Sequence, residues 1–209
     1  MKYREFSDLL LSKRYFVFST KDMVLFFPRI KKKTIANQLC EWRKKGYITR
    51  LKKDLYELSQ KGKGNEIPDL YIANRLYAPS YVSLETALSI YSIIPEVAMH
   101  VTSITTNPTK RFKNKHGQFL YFSCQPKAYT GYLLTEYEGY KINIAEKEKA
   151  LVDYIYFKTR KEKEMNFEDE RFDEDILKEL DWSRIKLYAE LFNKSVTKRI
   201  KKLKEFAKC

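Results

Sequence analysis

The residues best suited to specific chemistry are lysines and amides near the N-terminus. Lys31–Lys33 lie at the start of a predicted helix, and Lys52 and Lys53 lie at the tip of a predicted hairpin. Lysine side chains can neutralise nucleic-acid phosphates, and the amides of Asn37 and Gln38 can pair with adenine edges in the major groove. This combination predicts DNA contacts. The predicted contact residues are Lys31, Lys32, Lys33, Thr34, Asn37, Gln38, Lys44, Arg50, Lys52 and Lys53.

A lysine run can also be the solvated face of a helix, and a run considered alone favours that alternative. The distribution of charge along the chain favours DNA instead. The 209 residues include 41 Lys and Arg against 27 Asp and Glu, a formal net charge of +14. Residues 1–60 hold 15 basic and 6 acidic side chains, which accounts for +9 of that excess. Such a concentration predicts a polyanionic partner, either a nucleic acid or an anionic membrane surface.

Composition limits the class of protein further. Aromatic residues make up 15% of the chain, too many for a disordered coil. The longest purely apolar run, Met23–Phe27, is far shorter than a membrane span, and the N-terminus has no recognisable signal peptide. Three scattered cysteines, at positions 40, 124 and 209, do not form a disulfide framework and are typical of a reducing cytosol. We therefore expect a folded cytoplasmic protein with no membrane partner.

The elements that position the lysines can be predicted from hydrophobic periodicity and from the residues that begin and end helices. Helices are expected at residues 5–13, at 22–27 after a cap at Ser19 or Thr20, and at 31–45, which Gly46 ends. Strands are expected at 47–51 and 55–58. Three helices followed by a basic hairpin is the order of a winged helix-turn-helix. We predict such a DNA-binding domain over residues 1–60.

The third predicted helix separates its apolar and polar side chains. Ile35, Leu39 and Trp42 recur at positions i, i+4 and i+7, which is the spacing of one buried stripe. The positions on the opposite face are occupied by Lys33, Asn37, Cys40 and Lys44. The spacing therefore predicts that this second set is exposed.

Residues 61–69 have the polar, glycine-containing composition of a linker. Beyond them we predict a mixed α/β C-terminal domain over residues 70–209, so that the whole chain belongs to the α+β class. It is expected to be α+β to about residue 160, with helices, a meandering sheet and the helix 146–158, and to end in a helical tail over 172–207. Ser83 is expected to cap a helix in this domain.

Basic residues outside the N-terminal domain provide possible additional contacts. They are Lys110, Arg111, Lys113 and Lys115, together with the tail residues Lys198, Arg199, Lys201, Lys202 and Lys204. The tail residues are expected off the apolar stripe of the last helix. They could contact nucleic acid, a membrane or an acidic partner, or they could be a solvated face that covers a small core.

The chain has few residues suited to catalysis. His100 and His116 have no metal-ligating partner at zinc spacing, and there is no phosphate-binding glycine loop. No Asp or Glu is followed two positions later by Lys, the motif of many metal-dependent nucleases. Lys149 and Asp153 are expected to form a solvated i,i+4 pair at the start of a helix. We expect no enzymatic activity, no cofactor and no metal.

Several segments occur in an order that carries a family resemblance. They are Ile48–Tyr56, Tyr71–Leu76, Ala78–Leu88, Ile94–Glu96, Val101–Thr106, Arg111–Phe112, Gly117–Tyr121, Gly131–Tyr132 and Ile144–Asp153. In this order they closely resemble the AbiEi antitoxin family, over about residues 30–158. The hairpin tip departs from the family pattern, because Asp54 stands where a glycine is common, and we expect a less regular turn there.

The resemblance implies an antitoxin of a type IV toxin–antitoxin system that acts in abortive infection, a form of phage defence. It implies a winged helix that represses its own operon by binding promoter DNA at inverted repeats, and a C-terminal domain needed for antitoxicity. The functional partner would be a nucleotidyltransferase-fold toxin, without a stable complex being required. The alternatives are a solitary winged-helix regulator and a protein-interaction module without specific DNA binding.

Overall fold

The computed structural model describes residues 2–59, 67–161 and 165–208. The chain is a mixed α+β protein, as predicted, and divides into two compact units. The first comprises Met1–Pro68 with Asn114–His116, and the second comprises Asp69–Lys113 and Gly117–Cys209. Most of the predicted linker, residues 61–66, lies outside the described residues, as does Cys209. No helix in the described ranges combines the length and the apolar character needed to cross a bilayer.

In its described residues, the first unit contains three helices and a three-stranded antiparallel sheet. The elements are α1 Tyr3–Ser12, β1 Val17–Ser19, α2 Thr20–Phe26, α3 Lys32–Lys44, β2 Ile48–Lys52 and β3 Leu55–Leu58. The sheet order is β1-β3-β2, and β2 and β3 form the predicted hairpin. Strand β1 was not predicted, because three residues are too few to show a period of two. It pairs with β3 at Val17 opposite Glu57.

An aromatic core holds α1 and α3 together. The rings of Phe6 and Trp42 stack with centroids 4.9 Å apart, and Phe18 meets Phe6 edge-on at 5.0 Å. Ile35 and Leu39 complete the buried stripe of α3 that the sequence predicts. Because aromatic rings bury large apolar areas, these contacts determine which face of α3 is exposed.

The second unit is built on a six-stranded mixed sheet. Its elements are α4 Asp69–Leu76, β4 Ser80–Val82, α5 Leu84–Ile90, β5 Val101–Thr105, β6 Lys110–Asn114, β7 Gly117–Ser123, a 3₁₀ turn Pro126–Ala128, β8 Tyr132–Tyr137, β9 Tyr140–Ala145, α6 Lys147–Lys161, α7 Glu174–Glu179, α8 Trp182–Glu190 and α9 Lys194–Phe206. The strand order is β6-β7-β5-β4-β9-β8. Two neighbouring pairs, β5 with β7 and β4 with β9, are parallel.

The predicted meander is therefore wrong for the centre of this sheet. Strand β4 was missed in the sequence, yet it lies between β5 and β9, with Val82 paired to both Ser103 and Ile144. All three residues of β4 are buried, so no alternation of polar and apolar side chains marks it. The chain thus enters the middle of the sheet through a segment with no local strand pattern.

The helical tail is confirmed, with one correction to its polar face. Arg199 was predicted to lie off the apolar stripe of α9, but its side chain is only 9% exposed. It lies three residues after Val196 and four before Leu203, both fully buried. Helical geometry places such a residue beside the buried stripe. The long aliphatic stem of arginine accounts for its tolerance at this position.

Candidate nucleic-acid interface

Helix α3 presents the predicted polar face to solvent. Lys33, Asn37, Cys40 and Lys44 are all exposed, opposite the buried stripe. Lys44 lies eleven positions after Lys33, so the face extends over about 16 Å of helix axis. The structure separates the two predicted amides: Asn37 is exposed, whereas Gln38 is partly buried and its Oε1 is out of contact with solvent. Asn37 is therefore the amide available to an external partner.

The beginning of α3 is unusually basic. Lys31 occupies the N-cap position and Lys32 and Lys33 the first turn, which contains no acidic side chain. Together with Thr34 these residues are exposed. A helix N-terminus carries a partial positive charge, so three lysines there oppose the helix dipole in the isolated protein. An anion bound at this end would offset the repulsion between the lysine charges and the positive end of the helix dipole.

A groove in the first unit, here called the basic groove, brings three of the predicted lysines together. Its volume is about 470 Å³, and it joins the starts of α2 and α3 to the β2–β3 hairpin tip. Lys32, Lys52 and Lys53 line it with Lys21, which sequence reasoning missed. The full lining is Ser19, Thr20, Lys21, Val24, Lys32, Lys52, Lys53, Asp54 and Leu55. Four lysines against one carboxylate, that of Asp54, give the lining a net positive charge, which attracts phosphates.

Local hydrogen bonds shape the two sides of the basic groove. Ser19, one of the two predicted caps, begins α2: its Oγ accepts a hydrogen bond from the Asp22 N–H at 3.2 Å, and Asp22 Oδ2 accepts one from the Ser19 N–H at 2.7 Å. On the other side, the Thr20 hydroxyl donates to Asp54 Oδ1 at 3.4 Å. The cap places Lys21 in the first turn of α2.

The hairpin tip is irregular, as expected. Asp54 adopts a positive φ of 59°, a conformation that Asp tolerates better than most residues. The strand register shifts between Arg50 and Lys52, and Arg50 Nε donates to the Lys52 carbonyl at 3.2 Å. Arg50 and Lys53 are exposed, whereas Lys52 is partly buried. The hairpin therefore presents two cationic side chains to solvent, Arg50 from β2 and Lys53 from the tip.

The basic residues predicted as additional contacts differ in their exposure and in their partners. Lys110, Arg111 and Lys113 are exposed on β6, where the Lys110 ammonium lies over the rings of Tyr77 and Phe112 at 5.6 and 5.2 Å. Lys115 belongs to the first unit and forms an ion pair with the buried carboxylate of Glu57. That pairing reduces its availability to an external phosphate.

The largest departure from expectation concerns Lys149 and Asp153. Both side chains have zero solvent exposure, so the predicted solvated pair is a buried ion pair. Asp153 Oδ2 also accepts hydrogen bonds from the hydroxyls of Tyr81 at 3.0 Å and Ser83 at 2.9 Å. Ser83, predicted as a helix cap, makes no side-chain cap hydrogen bond.

The environment of this buried cluster is apolar and aromatic. The Lys149 ammonium lies 5.7 Å from the centroid of the Tyr81 ring and 5.1 Å from that of Phe192. Burial raises the pKa of Asp153 above its ordinary range, while Lys149 and the two hydroxyl donors oppose the rise. The pair connects α6 to the β4–α5 segment in the core. With no exposure, its direct role is structural.

Neither a metal site nor a comparison with known proteins assigns a function to these residues. Within the described residues, no group of three or more His, Cys, Asp or Glu side chains could hold a metal ion. Comparison of the sequence with models of known protein families and with curated proteins finds no match.

Proposed function

We propose that this protein binds DNA through its first unit, represses its own operon, and acts as an antitoxin of the AbiEi type. In this proposal the first unit is a winged helix, with α3 in the major groove and the β2–β3 tip over the adjacent backbone. The observation that carries the proposal is the basic groove, which gathers Lys21, Lys32, Lys52 and Lys53 next to the exposed face of α3.

The two parts of this surface have complementary chemistry. The groove lysines provide affinity through phosphate neutralisation, which is independent of sequence. Asn37, in the middle of the exposed face, provides an amide that can bond adenine N6 and N7 together. If the lysines only solvated a helix face, they would not have to come from three elements and line one groove. Their arrangement therefore favours DNA binding over a merely solvated face.

Cys40 provides a direct test, because it lies on the exposed face between Asn37 and Lys44. A duplex from the region upstream of the gene should slow alkylation of Cys40 by iodoacetamide at pH 8 at least about fivefold, because α3 would then be covered. Alkylation is followed by mass spectrometry of the Cys40 and Cys124 peptides. Cys124 is an internal reference: burial raises the pKa of its thiol to about 11, so it reacts slowly with or without DNA.

A random duplex of equal length is the control for specificity. Unchanged Cys40 alkylation at saturating upstream DNA would contradict the placement of α3 in the groove. Equal protection by both duplexes would contradict specific repression and leave only general DNA affinity.

The antitoxin role concerns the second unit and is tested separately. We expect the neighbouring gene to encode a nucleotidyltransferase-fold toxin, and co-expression of this chain should restore growth of cells that produce it. Protection should persist in a variant with Lys21, Lys32, Lys52 and Lys53 all changed to Ala, because the proposal assigns antitoxicity to the C-terminal domain. Failure of the wild-type chain to restore growth would contradict the antitoxin role and leave a solitary regulator.

A further inference from the structure

The second unit contains a cavity with the opposite charge to the protein as a whole, here called the acidic cavity. Its volume is about 520 Å³, within the range of small-molecule sites. Four carboxylates line it: Glu85 from the first turn of α5, Glu96 from the loop that follows α5, and Asp169 and Glu170 after α6. Lys158 of α6 is the one Lys or Arg among the described lining residues.

The carboxylates differ in how they are neutralised. Glu96 pairs with Arg171 at 2.8 Å, and Glu170 pairs with Lys158 at 2.9 Å. Within the described parts of the chain, Glu85 Oε2 accepts no hydrogen bond, and Asp169 is exposed. Glu85 Oε2 is also out of contact with solvent. A buried carboxylate oxygen without a donor is costly, and rotation of the Glu85 carboxylate toward a cationic donor in the cavity would remove that cost.

The rest of the lining is mainly apolar. Ile94, Leu120 and Phe122 contribute to the wall, and the loop residues Val97 and Met99 are 86% and 90% exposed. Metal ions prefer sites of oxygen ligands without an apolar wall, whereas an organic cation requires both a carboxylate and an apolar surface. The net charge of +14 repels free cations in general, so a cation that binds here must do so through local contacts.

We propose that the acidic cavity binds an organic cation, an ammonium or guanidinium group carried on an apolar stem. The charged group bonds Glu85 and Asp169, and the stem packs on Leu120, Phe122 and Met99. This chemistry is found in a free amine and in a Lys or Arg side chain of another protein. The proposal does not depend on DNA binding, because the cavity lies entirely in the second unit.

The full chain labelled with ¹³C at the methionine methyls provides the readout. Met99 lies at the cavity, whereas Met23 is buried in the first unit and serves as an internal reference. The Met99 signal is assigned with Met99→Leu. Phenethylamine should shift it saturably with a Kd on the order of 1–10 mM, as expected for a ligand of this size. The neutral analogue 2-phenylethanol should bind at least about tenfold more weakly, because it lacks the charge.

Two variants and a matched control test the carboxylates. Glu85→Gln and the exposed variant Asp169→Asn should each weaken phenethylamine binding about three- to tenfold. Glu190→Gln, an exposed substitution on α8 outside the cavity, should leave it unchanged. A far-UV circular dichroism spectrum that matches the wild type shows that each variant is folded. Equal binding of amine and alcohol, or unchanged binding by both cavity variants, would overturn the proposal.

A second ligand distinguishes the two sources of the cation. The peptide acetyl-Ala-Leu-Lys-Leu-Ala-amide presents the same ammonium on a protein-like backbone, and its norleucine analogue is the neutral control. Binding of the lysine peptide at lower concentration than phenethylamine supports a protein side chain as the ligand. Tighter binding of phenethylamine supports a free amine. If neither ligand shifts Met99, the cavity does not bind organic cations.

Discussion

Changing Lys21, Lys32, Lys52 and Lys53 to alanine together is expected to lower DNA affinity on the order of 10³-fold at 0.1 M salt. Each lysine that neutralises a phosphate releases about 0.9 of a counterion on binding, so the slope of log K against log salt should fall by roughly 3.6. Fluorescence anisotropy of a labelled upstream duplex between 50 and 300 mM KCl measures both quantities. The loss should be similar for upstream and random duplexes, because phosphate contacts carry no sequence information.

The matched control removes the same amount of charge from the second unit. Lys186, Lys194, Lys201 and Lys202 are exposed on α8 and α9, and changing all four to alanine should leave most of the slope intact. Asn37→Ala should preserve the slope and alter base preference, with an expected loss of about 1–3 kcal/mol at an adenine it contacts. An equal loss of affinity in the control variant would contradict the assignment of DNA binding to the first unit.

Asp153→Asn is expected to destabilise the protein by about 3–5 kcal/mol, the largest single-residue effect on stability that we predict. The substitution leaves the Lys149 ammonium in a site with zero exposure and no opposing charge. It also weakens the acceptor for the Tyr81 and Ser83 hydroxyls. Urea unfolding at pH 7, followed by circular dichroism, measures the shift of the transition midpoint.

An exposed pair with the same i,i+4 spacing is the matched control. Arg4 and Asp8 on α1 are 93% and 66% exposed, so Asp8→Asn should have little effect on the urea midpoint. The double variant Lys149→Met with Asp153→Leu should be more stable than Asp153→Asn, because no charge remains buried. A shift for Asp153→Asn as small as that for Asp8→Asn would show that the ion pair does not contribute as proposed.

Local patterns were sufficient to predict most helices and the first hairpin. The stripe of Ile35, Leu39 and Trp42 gave α3 to within one residue at each end and identified its exposed face. This worked because a helix repeats every 3.6 residues, so thirteen residues sample its period several times. The short strands β1 and β4 have only three residues each, and β4 is buried on both sides, so the same reasoning had nothing to detect.

The sequence predicted some residues of the candidate interface but not their arrangement in space. The sequence identified Lys32, Lys52 and Lys53, but only the fold places them around one groove with Lys21. No pattern in the sequence distinguishes Lys21 from the other lysines. Its relevance comes from the approach of α2 to the hairpin tip, which depends on the packing of the aromatic core.

Residue order was enough to predict the concentration of positive charge in the first 60 residues, the exposed face of α3 and the mixed α+β class. The tertiary structure alone decided the parallel pairing of the central strands and the burial of Lys149 and Asp153. Spacing along a helix shows that two charges can meet, but it does not show whether water reaches them. That depends on Tyr81 of β4 and Phe192 after α8, which are distant in sequence, and long-range packing has no local signature.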